Sequence, residues 1–336
     1  MNDWLDVTVG DIAARSRNAL VGGPFGSNLV SQDYVVAGVP VIRGQNMGER
    51  WLSGEFAFVS DDKATSLSAN LASPYDVIFT QRGTLGQVSV VPNEPYSKYV
   101  VSQSQLKLTV NYELADPMYV YYNFSSAEQK NYIMQNAVQA GVPHTNLGLL
   151  RTTPIRLPPL KEQRGIASIL GALDDKIDLN RRMNETLEAM ARAIFKDWFV
   201  DFGPTRAKME GRAPYLAPEI WTIFPDHMDE RGKPDRWARL SLREAAEILS
   251  GGTPDKENAT YWGGSIPWIS PKIMTDIHVS GSEDRVTEGA IGRGTRLAPF
   301  GSVLLMVRGM GLHHGVRVSQ ARRDVAFNRR AGIAEK

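Results

Sequence analysis

The chain has no cysteine. That removes disulfides, thiolate metal sites and any scaffold stapled for an oxidising compartment. No run of about 20 apolar residues occurs, and Met1-Asn2-Asp3-Trp4 enters folded-looking sequence without a leader pattern, so cytoplasm and no membrane are the expectation. Excess charge of one sign is missing too: 38 Lys+Arg against 37 Asp+Glu leave a net charge of +1. A nucleic-acid role therefore needs charge concentrated locally.

Catalytic signatures are equally scarce. There is no P-loop, and Arg308-Gly309-Met310-Gly311-Leu312-His313-His314-Gly315 does not fit G-x-G-x-x-G. Leu157-Pro158-Pro159-Leu160 lacks the polar first and aromatic last residues of the Asn/Asp-Pro-Pro-aromatic motif of adenine methyltransferases. Asp174-Asp175-Lys176 has no Pro-Asp at useful distance and reads as a solvated helix face. His313 and His314 are neighbours, which on a strand would point to opposite faces. No catalytic residue, metal ligand or directly bound cofactor is expected.

What is present begins with one long helix between Pro158 and Pro204. Ile166, Leu170, Leu173, Ile177, Asn180, Asn184, Leu187, Ala191, Ile194 and Trp198 follow alternating steps of three and four, the pattern of a coiled-coil seam. Pro158-Pro159 suits a first turn, and Gly203-Pro204 a stop. About 40 residues at ~1.5 Å rise give a rod of roughly 60 Å. Ile169, Leu179, Met183 and Met190 widen the apolar face, which implies more than one packing partner, while the charged residues are mostly left to the remaining surface. Asparagines in a seam fix register at a cost in stability.

Around this helix the sequence repeats. Trp4, Val9, Asp11 and Ile12 are echoed by Trp237, Leu242, Glu244 and Ala245; Gly22-Gly23-Pro24 by Gly251-Gly252-Thr253-Pro254; Val39-Pro40-Val41-Ile42 by Ile266-Pro267-Trp268-Ile269; and Arg82-Gly83 by Arg308-Gly309. The order is the same both times, which implies two copies of one domain. Strand-like runs at Pro40–Ile42, Val77–Thr80, Val88–Val91 and Gln105–Val110, with helices near Asp61–Asn70 and Pro117–Asn131, predict an α+β domain on a twisted, largely antiparallel sheet. The expected division is a first domain over 1–156, the helix over 157–203, a proline-punctuated connector that docks over 204–236, and a partial second domain over 237–336. The second copy reads as incomplete, because the residues after Val325-Ala326-Phe327-Asn328 are polar and unlike a strand.

Each copy also carries the residue types that read bases. Arg43-Gly44-Gln45-Asn46 and Gln81-Arg82-Gly83-Thr84 stand at equivalent strand ends, with His144-Thr145-Asn146 in a turn. Arg suits guanine, and Gln or Asn suit adenine, though ordinary polar turns use the same residues. The second copy is locally basic, with Arg285, Arg293, Arg296, Arg308, Arg317, Arg322, Arg323, Arg329 and Arg330 facing Glu288 and Asp324.

Leu157-Pro158-Pro159-Leu160-Lys161-Glu162-Gln163-Arg164, the helix end Phe195-Lys196-Asp197-Trp198-Phe199-Val200-Asp201-Phe202-Gly203-Pro204, and the repeated Gly-Gly-x-Pro and Arg-Gly segments resemble the specificity subunit of type I restriction–modification systems. The resemblance implies two target recognition domains reading a split duplex DNA target, and helices that space them and dock modification subunits. Those subunits carry S-adenosylmethionine and methylate adenine N6; motor–nuclease subunits, with ATP and Mg, cut unmodified DNA. It further implies DNA contact by Arg43, Gln45, Asn46, Gln81, Arg82, Thr84, His144 and Asn146 in the first domain and by Lys272, Arg308, His313 and His314 in the second. A second long helix, usual in the family, does not follow here. The alternatives are a homodimer on a symmetric target or a remnant serving as a helix-dimer scaffold. Tyr75 stands where the family turn usually has glycine.

Overall fold

The computed structural model describes residues 4–139, 143–309, 312–313 and 315–328, and the backbone of Ala331–Glu335. His314, Arg329, Arg330 and residues 140–142 lie outside the described residues. The chain divides into two units, residues 1–191 and 192–336.

In the first unit the strands are β1 (Leu5–Thr8), β2 (Leu20–Gly22), β3 (Tyr34–Val35), β4 (Val39–Ile42), β5 (Ala57–Val59), β6 (Leu71–Ala72), β7 (Val77–Thr80), β8 (Val88–Val90), β9 (Tyr99–Val101), β10 (Gln105–Leu108) and β11 (Pro154–Leu157). The helices are α1 (Val9–Ile12), α2 (Asp61–Ser66), α3 (Pro117–Ser125), α4 (Ala127–Asn136), α5 (Leu147–Thr152) and α6 (Leu160–Phe199). Two main sheets form, in the orders β2-β10-β7-β8 and β3-β5-β4-β9-β6, and β1 pairs with β11. Every residue of β4, β7, β9 and β10 is buried. Burial of successive residues belongs to strands covered on both faces, and in β10 it takes in Gln105 and Lys107 beside Leu106 and Leu108. The edge strand β11 alternates instead, with Ile155 and Leu157 inward.

The second unit adds α7 (Gly203–Met209), α8 (Pro218–Trp221) and α9 (Leu242–Ala245). Its strands are β12 (Glu247–Ser250), β13 (Trp262–Ile269), β14 (His278–Val279), β15 (Arg285–Val286), β16 (Arg296–Ala298), β17 (Val303–Met306), β18 (Val318–Ala321), β19 (Val325–Phe327) and β20 (Ala331–Glu335). Their sheets run β12-β20-β17-β18-β14 and β15-β13-β19-β16. The repeat is thereby visible as topology. β2, β10, β7 and β8 correspond to β12, β20, β17 and β18, while β5, β4, β9 and β6 correspond to β15, β13, β19 and β16. Both copies place a parallel pair at the corresponding position, β4 with β9 and β13 with β19, among antiparallel ladders, and the second copy adds another, β14 with β18. Even the short helix after each tryptophan is closed alike, by a Thr8–Asp11 and a Ser241–Glu244 capping box.

Three expectations change, and one unusual residue gains a physical reason. The segment after Asn328 is a strand: β20 pairs with both β12 and β17, just as β10 sits between β2 and β7. Its place is set by two neighbours whose backbone groups need partners rather than by its own propensity. The helix expected near Pro117–Asn131 is two, parted at Ser126, which leaves helical geometry and caps α4 through its hydroxyl. The end of α6 is not a glycine stop either, since the left-handed residue is Phe202, with φ 55°, and Gly203 opens α7. Gly203 is small for another reason: a Cβ there would lie 2.0 Å from Asp197 Oδ1. Finally, Tyr75 holds φ 68° where its counterpart Gly301 holds 90°, so the unusual tyrosine occupies a left-handed position that glycine takes more cheaply.

The connector does dock. Phe199, Phe224 and Trp237 form one aromatic cluster with Trp198 and Phe202, and Lys208 lies over the Trp221 ring.

Candidate nucleic-acid interface

Parallel pairing decides which side chains meet. β4 and β9 leave their sheet side by side, with Ile42 opposite Val101, and the Ser102 N–H donates to Ile42 O at 3.2 Å. Arg43 follows on one strand while Ser102-Gln103-Ser104 turns into β10 on the other. β10 begins opposite the end of β7, with Gln105 facing Thr80. The Gln81 and Arg82 N–H groups then donate to Ser104 O, at 2.7 and 3.3 Å. Arg82 bridges to His144, and Thr145 N–H donates to Gln81 O at 3.0 Å. One strand-end edge thus gathers Arg43, Gln45, Gln81, Arg82, Thr84 and His144, with the 102–104 turn at its centre.

Their states differ. Arg82 and Thr84 are exposed, Gln81 and His144 half-buried. Gln45 is exposed and donates one amide hydrogen to Glu55 O at 2.9 Å. Arg43 is half-buried, and its Nε has no hydrogen-bond partner among the described residues. Two expected readers have other work. Asn46 is buried; its Oδ1 accepts from Arg43 N–H, and its Nδ2 donates to Ser53 O and Glu55 O. Asn146 caps α5 by accepting from Leu149 N–H at 2.8 Å. Both shape the edge: Asn46 engages both ends of its amide there, and Asn146 gives its Oδ1 to the cap.

Sequence reasoning missed three contributors. Gln105 is fully buried; its Oε1 accepts from the Ser102 hydroxyl and its Nε2 is unpartnered among the described residues. The 102–104 turn carried no motif. Gly23 was visible as half of a repeated glycine pair: a Cβ there would meet Ser102 O at 1.8 Å, so only glycine lets this loop lie on the turn.

The second unit rebuilds the same edge. Asn328 N–H donates to Ile269 O at 3.0 Å, as Ser102 does to Ile42, and Asn328 Nδ2 donates to Thr253 Oγ1 at 3.2 Å. Arg308 follows β17 as Arg82 follows β7, exposed, and Lys272 is exposed in the turn after β13. His313 is exposed in the β17–β18 loop, whose Arg317 Nη1 reaches Pro271 O at 3.4 Å. The wider basic stretch does not gather. Arg285 and Arg296 sit on the two outer strands of one sheet, and Arg322 lies over the Phe300 ring.

The long helix presents two faces to explain. Towards the first unit it turns Gln163 and Ala167, both buried, then half-buried Asp174 and Asp178. Gln163 donates to Leu114 O and Pro158 O and accepts from Asp116 N–H. Arg50 reaches Gly171 O at 3.1 Å and pairs with Asp175, while Tyr122 OH donates to Asp174 Oδ2 at 2.8 Å. These acidic residues are helix anchors, not a plain solvated face. Burial works against the Arg50 charge, but its bonds to Asp175 and Tyr122 prevail and hold its pKa above the ordinary value. The Tyr122 phenol is pushed up to about 12, by burial first, with Asp174 adding to the rise and Arg50 opposing it. The seam is the other face. Ile166 and Leu170 are half-buried, whereas Leu173, Ile177, Leu187 and Ile194 are 54, 48, 55 and 45% exposed. Asn180, Asn184 and Ala191 are exposed too, and Trp198 is half-buried in the aromatic cluster.

A repeated strand-end edge joined to this helix has a known counterpart. A family model described as "Type I restriction modification DNA specificity domain" matches residues 1–189. The chain belongs to this family. The HindI specificity subunit of Haemophilus influenzae is 24% identical over 333 residues, covering 85% of this chain and 70% of the relative. The EcoR124I/EcoR124II specificity subunit of Escherichia coli is 44% identical over 70 residues, covering 20% of this chain and 17% of that one. The crystal structure of the type I restriction–modification S subunit from M. genitalium is 14% identical with a TM-score of 0.50, covering 99% of this chain and 72% of that chain. That last likeness concerns the fold alone, and it carries the α+β reading with repeated domains and a long helix between them in the chain. Among the described residues, no helix is long and apolar enough to cross a membrane.

Proposed function

We propose that this chain is the DNA-reading subunit of a type I restriction–modification complex, selecting a bipartite duplex target while partner subunits make and break the bonds. The observation that carries the reading is the edge built twice, with an exposed arginine two residues past β7 in one copy and past β17 in the other, Arg82 and Arg308. Two similar but not identical readers on one chain suit two different half-targets. In the first, Arg82, Gln81, Thr84 and Gln45 face the bases or phosphates, with Arg43 and His144 beside them. In the second, Arg308, Lys272 and His313 take those places, and His314 is assigned with them from the sequence. Arg offers a bidentate fork to guanine, and Gln pairs with adenine. Asn46 and Asn146 hold the first edge in shape.

The apolar seam of α6 is the assembly surface in this reading, because its leucines and isoleucines stand exposed beyond the anchored first turns. Modification subunits, with motor–nuclease subunits joining them, pack there or alongside. A second copy supplying an antiparallel helix is the alternative that the same exposure favours, since such a pairing is self-complementary. Sedimentation of the purified chain separates them: a dimer supports the second copy, a stable dilute monomer the hetero-assembly.

The deciding experiment is methylation-sensitive sequencing of the host genome with and without this gene. Loss of a split-motif adenine mark is the expected result. If the purified chain modifies or hydrolyses DNA by itself, the proposal fails.

A further inference from the structure

We propose that Phe25 is a stacking wedge on the first reading edge, inserting its ring between bases of the bound duplex; the inference rests on the DNA-reading assignment above. Phe25 is 82% exposed, on the loop between β2 and Leu29. The loop around it is fixed. Its neighbours Pro24 and Leu29 are buried, Gly23 N–H donates to Gln105 O at 3.0 Å, and Asn28 N–H donates to Phe25 O at 3.2 Å. Gln103 Nε2 donates across to Gly26 O and Leu29 O, at 2.8 and 3.3 Å. The large apolar ring is thus held out in water on a loop whose backbone is pinned to the 102–104 turn.

The same turn decides what the ring stands beside. Gln103 holds the Phe25 loop on one flank, while Ser104 O accepts from Gln81 and Arg82 on the other. A Cβ on Gly22 would lie 3.9 Å from Gln81 Oε1, so the Gln81 amide stands by the end of β2, from which the Phe25 loop departs. An exposed ring on a loop that shares this turn with Gln81 and Arg82 fits a base step: every base has a π face, and apolar wedges that part a step are a recurrent device of DNA-binding proteins. The corresponding loop of the second unit is Gly252-Thr253-Pro254-Asp255, with no aromatic side chain and with Pro254 buried, and its Thr253 hydroxyl accepts from Asn328. Unstacking is therefore expected in one half of the target and not in the other.

The test uses the full chain assembled with its modification subunits, on the duplex identified by methylation sequencing. 2-Aminopurine is placed at successive positions through both halves. Wild type should brighten 2-aminopurine at one step of one half. Phe25→Ala should abolish that signal and weaken binding about 5- to 100-fold, and Phe25→Trp should restore both. An unchanged signal and affinity in Phe25→Ala would overturn the wedge while leaving the DNA-reading assignment standing. So would a Phe25→Ala chain that holds its modification subunits more weakly while the assembled complex, at saturating subunit, binds DNA normally, since the ring would then contact protein. A wild-type complex that selects no duplex at all brings down the assignment itself, and the wedge with it.

Discussion

Arg82 and Asn46 look alike in the sequence, each a polar residue of a four-residue turn at a strand end, yet they do opposite things. Arg82 is exposed, and its backbone rather than its side chain ties the turn to Ser104. Asn46 is buried and closes three backbone groups with one amide. Arg82→Ala should therefore leave thermal unfolding unchanged and weaken DNA binding, with the salt slope reduced by about one if it meets a phosphate. Asn46→Ala should lower the unfolding free energy in urea by about 1–3 kcal/mol, because it leaves the Arg43 N–H and the Ser53 carbonyl without this partner, while Glu55 O keeps Gln45. Equal unfolding curves for the two variants would contradict this division. The distinction was not legible beforehand, because the Ser53 and Glu55 carbonyls that claim Asn46 lie in a segment without periodicity. Tyr75, by contrast, was flagged by its residue type, and the left-handed backbone explains why glycine is the usual occupant.

The long helix was the most legible element, since three-four spacing over so many residues admits few other structures. The polar half of its packing was not legible. Asp174 and Asp175 are claimed by Tyr122 and Arg50, whose positions depend on how the whole first unit folds. This anchoring should show in alkali. Folded Tyr122 keeps its proton to about pH 12, while an unfolded tyrosine loses it near 10. Between those values the unfolded state binds fewer protons, so its population grows as pH rises and stability falls. Tyr122→Phe should make that alkaline decline shallower in denaturant titrations across the window; an identical slope would mean that the phenol is not held as described. The seam makes the complementary prediction. Leu173 and Leu187 are exposed in the chain itself, so Leu173→Glu with Leu187→Glu should leave its melting unchanged and abolish either co-purification of modification subunits or self-association. Retained assembly would place the interface elsewhere. β20 lies at the other extreme: its composition suggests no strand, and only the gap between β12 and β17 makes it one.

At the scale of the molecule, the repeat carries the argument. It was readable because its markers are residues with little freedom to change: glycines pressed onto backbone, and an arginine leaving one strand. Gly23 meets Ser102 O, Gly251 meets Phe327 O, and Gly252 meets Gly294 O, each too closely for a Cβ. Between such fixed points the two edges have diverged, Gln45 against Lys272, His144 without a counterpart named in the second copy, and a ring at Phe25 against Pro254. Shared frame and divergent tips are what independent reading of two half-targets requires. Arg82→Ala and Arg308→Ala, each introduced into the host gene, should accordingly change the methylation map in different ways. The first should relax base choice in one half of the split motif and leave the other half intact, and the second should do the reverse; each mismatched base pair commonly costs about 1–3 kcal/mol, roughly additively for separated positions. If either change relaxes both halves together, the two edges act as one surface, and the correspondence between repeat and bipartite target fails.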